Sequence, residues 1–110
     1  MKTLEYLALA RFSSDKMQKS ELFATPRVTA DLYCFEAGQA QRSHKHTASD
    51  KLYFVLEGAG RFTVGRTTRE FAEGFAVLVP AGEEHGVVNI TEERLLLLVV
   101  TAPPGSPGKP

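Results

Sequence analysis

The chain has 110 residues, 43% of them apolar and 24% charged, with one cysteine. That is enough to bury a core without disulfides or a structural metal, and it suits one compact domain. Thirteen basic residues balance thirteen acidic ones and there is no long basic run, so the electrostatic footprint of a nucleic-acid binder is missing and no such partner is expected.

The first 27 residues are mixed in character. Leu4, Leu7, Ala8, Leu9 and Ala10 are apolar, but Glu5 interrupts them and Arg11 ends them. That is too short and too charged for a secretory h-region. Ser14, followed by Asp15, Lys16 and Met17, predicts a cap on a short helix to about Ser20, with Leu22 and Phe23 packing after it. Residues 1–27 are therefore expected to be an extension, a short helix or irregular segment packing on the main body or on a partner.

From Val28 the pattern changes to strands, and a body over 28–102 follows. Val28–Glu36 is apolar and β-favouring, and Gly38 ends it. Ala40–His46 alternates weakly, and Lys51–Glu57 is a strong β run. Gly58 and Gly60 mark a turn before Arg61–Val64, and Gly65-Arg66 leads into Thr67–Phe71. Phe75–Val79 follows Gly74 and stops at Pro80-Ala81-Gly82; Gly86–Ile90 and Arg94–Thr101 finish the set. Many short strands with close turn signals predict an all-β sandwich or closed barrel. The last eight residues, 103–110, are Pro, Gly, Ser, Lys and predict a disordered tail.

The longest apolar run, Leu95–Val100, is far too short to span a membrane. It predicts a central strand covered on both faces or a face turned to a partner subunit. Cys34 lies in an apolar run and is expected to be a buried, inert thiol. With no disulfide to form, a cytoplasmic location is expected.

Only three histidines occur. His44 and His46 are two apart, so in a strand both face one side, as ligands of one metal must. His85 follows the Pro80-Ala81-Gly82 turn. Imidazole suits Fe, Mn, Ni, Zn and Cu, to differing degrees. Taken alone, such a pair is as often two exposed residues on a polar face.

The spacing adds to this. Gly38, five residues, His44, Lys45, His46 and then Gly58 resemble the first cupin motif. Gly74, five residues, Pro80, Ala81, Gly82, two residues, His85, three residues and Asn89 resemble the second, and 15 residues separate Gly58 from Gly74. The resemblance covers about residues 28–101. It implies a double-stranded β-helix, or jelly-roll barrel, with His44, His46 and His85 holding a divalent transition metal in its interior. It also implies a small-molecule ligand and a homodimer.

One position departs from the family pattern. Seven residues before Gly58 the family carries glutamate; here that residue is Lys51, with Asp50 beside it. Alternation puts Lys51, Tyr53 and Val55 on one face. Burial and a nearby cation both lower a lysine pKa. Three readings stay open: a three-histidine metal site with Lys51 meeting an anionic substrate; Asp50 swung in as a fourth ligand, through a bulge at 47–50; or a metal-free basic pocket. Lys51 snorkelling to solvent is the plain alternative. Arg42 shares a face with His44 by simple alternation and is a candidate anion grip; Tyr53 offers a hydroxyl to a ligand or fills the barrel. Asn89 is expected to support its turn. The function that follows is a metal-dependent enzyme on a small anionic molecule, or alternatively a non-catalytic binding or sensing cupin.

Overall fold

A computed structural model describes residues 1–44 and 48–105, with the backbone alone at 43 and 44. Nine strands follow in order: β1 (Gln18–Ala24), β2 (Thr29–Phe35), β3 (Ala40–His44), β4 (Asp50–Glu57), β5 (Ala59–Val64), β6 (Thr67–Ala72), β7 (Ala76–Val79), β8 (His85–Val88) and β9 (Leu95–Ala102). They form two antiparallel sheets, ordered β1-β2-β9-β4-β7 and β3-β8-β5-β6. The chain changes sheet at nearly every turn from β2 onward, so successive strands wrap around one interior in the double-stranded β-helix of the jelly-roll class. The all-β barrel expected from the sequence is the fold observed.

Turn chemistry explains the wrapping. Gly58 carries the chain from β4 to β5 with φ of 83°, and a Cβ there would collide with the Arg94 carbonyl. No other residue meets both demands. Gly74, before β7, has φ of 95°. Beyond β8, Asn89 is fully buried; its amide donates to the carbonyls of Glu36 (3.1 Å) and Glu93 (2.7 Å), while Oδ1 accepts from the Thr91 amide at 3.0 Å. One side chain thus ties the 91–93 turn to the end of β2, the supporting role its motif position suggested.

Strand alternation builds two cores. Between the sheets lie Tyr33, Phe35, Tyr53, Val55, Phe62, Val79, Val87, Leu95, Leu97 and Val99. Behind the five-stranded sheet, Leu32, Cys34 and Leu96 pack under Leu9, Ala10 and Phe12 of the N-terminal segment. This second layer explains why Leu95–Val100 is apolar on both faces: β9 is the central strand, and part of its outer face is covered by the chain's own start. Burial at Cys34 pushes its thiol pKa up, which suits an inert thiol.

The N-terminal expectation needs correction. Residues 14–20 do not form a helix; a bend over 14–16 leads into β1, and the only helical turn among the described residues is a 3-10 turn at Tyr6–Leu9. Ladder pairing from Gln18↔Cys34 to Ala24↔Thr29 recruits the segment as an edge strand, outweighing its weak local helix signal. The extension over 1–27 is therefore partly sheet. The tail expected over 103–110 lies outside the described residues from 106 onward. No described helix is long and apolar enough to cross a membrane.

Candidate functional site

Polarity changes along the inner face of the barrel. On β4 the inward residues run Lys51, Tyr53, Val55; on β2 they run Asp31, Tyr33, Phe35. The β9 partners follow suit, with Thr101 opposite Lys51, Val99 opposite Tyr53 and Leu97 opposite Val55. One end of the interior is thus hydrocarbon and the other carries lysine, tyrosine and histidine. Buried polar groups have to find partners or ligands, so the polar end is the candidate site.

Lys51 is 2% exposed. It does not snorkel: its Nζ donates to the Tyr33 hydroxyl at 3.3 Å and sits 5.7 Å from that ring's centroid. Lys19, opposite Tyr33 on β1, approaches the same ring at 4.9 Å. Among the described residues no carboxylate lies within ion-pair distance of Lys51. Burial, reinforced by the Lys19 charge, brings its pKa down to about 8, against a weaker pull from Asp31. Burial also lowers Lys19 and raises Asp31.

Tyr53 is fully buried and does both things open to it in the sequence. Its ring fills the barrel, edge-on to Tyr33 (6.1 Å), Phe62 (5.8 Å) and His85 (6.2 Å), and its hydroxyl donates to Gln41 Oε1 at 2.9 Å. Burial pushes both tyrosine pKa values well up, so both phenols are neutral donors near neutral pH.

His85 is 2% exposed. Its Nδ1 donates to the Glu83 carbonyl at 3.0 Å, which leaves the lone pair of the neutral ring on Nε2, itself buried. A backbone carbonyl on the far nitrogen is the usual way a metal-binding histidine is oriented, so this ring fits a metal. The ladder places His44 of β3 directly opposite His85 of β8. His46 lies outside the described residues, and among the described ones no group of three His, Cys, Asp or Glu converges on a metal-sized site.

Two expectations change on contact with the geometry. Asp50 is exposed, and its Oδ1 accepts from the Ala81 amide at 2.8 Å. It braces the turn before β8 and does not turn into the barrel interior. Arg42 is exposed, and Gln41 is the buried one of the β3 side chains described. The cause is a register shift between Gln41 and His44, where three steps on β3 match two on β8. An extra residue reverses the alternation, so counting back from His44 selects the wrong neighbour. Gln41, Tyr33 and Lys19 join the site unforeseen. Alternation within β2 points to Tyr33, whereas nothing local marks Gln41 or Lys19.

Comparison with known proteins agrees with this architecture. Residues 31–101 match the model of the cupin domain family. A protein of Thermus thermophilus of known crystal structure is 44% identical, with a TM-score of 0.90 over 94% of this chain and 98% of its own. An uncharacterized protein of Streptomyces coelicolor is 40% identical over 79 residues, 72% of this chain and 73% of its own length. The dimethylsulfoniopropionate lyase DddW of Ruegeria pomeroyi is 37% identical over 54 residues, which is 49% of this chain and 35% of the lyase. Motif spacing, sheet order and these likenesses coincide: the chain belongs to the cupin family.

Proposed function

We propose that His44, His46 and His85 bind one divalent transition metal, Fe, Mn, Ni, Zn or Cu, at the polar end of the barrel, and that the protein is a metal-dependent enzyme acting on a small anionic organic molecule. The observation that carries this reading is the pairing of His44 with His85 across β3 and β8, with the His85 ring oriented through Nδ1. Paired positions share a sheet face, and the two-residue spacing of His44 and His46 in the sequence is the one expected of two ligands of one ion. When bound, such a metal supplies Lewis acidity toward a ligand oxygen. The chain's own residues do the rest: Tyr53 and the hydrocarbon end exclude water, and Lys51 holds negative charge beside the histidines. The likeness to a lyase across 49% of the chain supports an enzymatic role.

A second reading is favoured by one feature, the buried ammonium of Lys51 where the family carries a carboxylate. In that reading the barrel is a non-catalytic receptor with a metal-free basic pocket. Elemental analysis of untagged protein purified without added metal separates the two. About one equivalent of metal in the parent, and none in His85→Ala, is the expected result. A protein that neither retains nor takes up divalent ions overturns the three-histidine site.

The working unit of this proposal is a cytoplasmic homodimer. Leu52, Phe54 and Leu78 are 38%, 36% and 56% exposed on the outer face of the five-stranded sheet, where Leu52 pairs with Leu78 and Phe54 with Leu98. An apolar patch of this kind marks an interface.

A further inference from the structure

We propose that Lys51 and Gln41 form a carboxylate-binding subsite that works without metal. It deepens the reading of the barrel interior as a ligand site by naming the group that is bound and the donors that bind it. Two buried donors carry the argument. The Lys51 ammonium has three N–H donors and one neutral partner, the Tyr33 hydroxyl. Gln41 is 5% exposed, and its Nε2 has no hydrogen-bond partner among the described residues.

The local acceptors are already committed. Gln41 Oε1 takes the Tyr53 proton, which sets the orientation of the amide. The Tyr33 oxygen takes Lys51. The rings of Tyr33 and Tyr53 meet edge-on at 6.1 Å, so the lysine on one phenol and the glutamine on the other share one end of the barrel, and the donors left over are a cation and an amide. A buried donor without an acceptor is unfavourable, and more so when charged. A planar carboxylate answers both, one oxygen on Nζ and the other on Nε2. No arginine fork is buried here to favour a tetrahedral dianion. Asp31, half-buried on the Lys19 side, keeps the pocket from becoming a general anion trap.

The test uses the full chain after removal of metal with EDTA and acetate as the probe, with the Gln41 side-chain amide followed by NMR at constant ionic strength. Acetate is expected to shift that amide saturably, while chloride and methylammonium leave it in place. Lys51→Met and Gln41→Leu should each weaken acetate binding by at least about tenfold. Absence of a saturable shift, undiminished affinity in Lys51→Met, or tighter binding of phosphate than acetate would each overturn the proposal. Because metal is absent throughout, failure here is distinct from failure of the histidine site, which is read by elemental analysis.

Discussion

Replacing Lys51 with Met should make the metal-free protein more stable at neutral pH and should flatten part of its pH dependence. In the folded chain Lys51 titrates at about 8, against 10.5 for the free side chain. Between those values the unfolded chain binds more protons than the folded one, so stability rises with pH across the window. Below pH 8 the cost of holding the buried charge is present in full, about 3 kcal/mol. From pH 7 to 9.5 about 2 kcal/mol of it is relieved. Methionine matches the lysine stem in length and carries no charge, so Lys51→Met should gain about 1–3 kcal/mol at pH 7. Urea unfolding of EDTA-treated parent and variant at pH 7 and 9.5 reads both effects. Taking the difference between the two proteins cancels the opposing contributions of Cys34, Tyr33 and Tyr53, whose raised pKa values favour the folded state less as pH climbs. A variant less stable than the parent at pH 7, or a gain equally large at pH 9.5, would refute the reasoning.

Lys51→Glu should restore a carboxylate beside the histidines and tighten divalent metal binding by at least about tenfold, measured by competition with a chromogenic chelator. Asn89→Ala should lower stability by about 2–4 kcal/mol in urea unfolding, because it strips partners from the Glu36 and Glu93 carbonyls and the Thr91 amide at once. Leu78→Asp should give a monomer by light scattering, with its circular dichroism unchanged, if the outer face of the five-stranded sheet is where two copies meet.

The strands from β2 to β9 were legible because alternation and glycine punctuation agree locally, and the inward set Lys51, Tyr53, Val55 followed from period two alone. Strand β1 was not legible. Gln-Lys-Ser-Glu-Leu-Phe-Ala carries little β preference, and its conformation is set by the β2 ladder. At the candidate site the inward Lys51 and Tyr53 were legible from alternation, and the sequence misled where parity breaks: the shift before His44 exchanges Arg42 for Gln41. Asp50 shows the same limit in another form. A carboxylate next to a histidine cluster reads as a ligand in one dimension, yet the nearby Ala81 amide, thirty-one positions on, claims it in three.

Lys51 sets stability against binding. A hydrocarbon side chain at its position would make a better core, as the rest of the inner face demonstrates: Phe35, Val55, Phe62, Val87, Leu95 and Leu97 are buried without a polar atom among their side chains. That end of the barrel provides the cohesion that lets the other end hold an ammonium and an amide short of acceptors. A residue retained for packing would not be the one whose ionised form is hardest to bury. Lysine at the position where the cupin motif carries glutamate therefore argues for recognition of negative charge. The same burial that penalises the free protein strengthens the contact once an anion arrives, because water no longer screens it. On this argument Lys51→Met gains stability and loses acetate in the same molecule, and a variant that gained one without losing the other would separate two properties that the geometry couples.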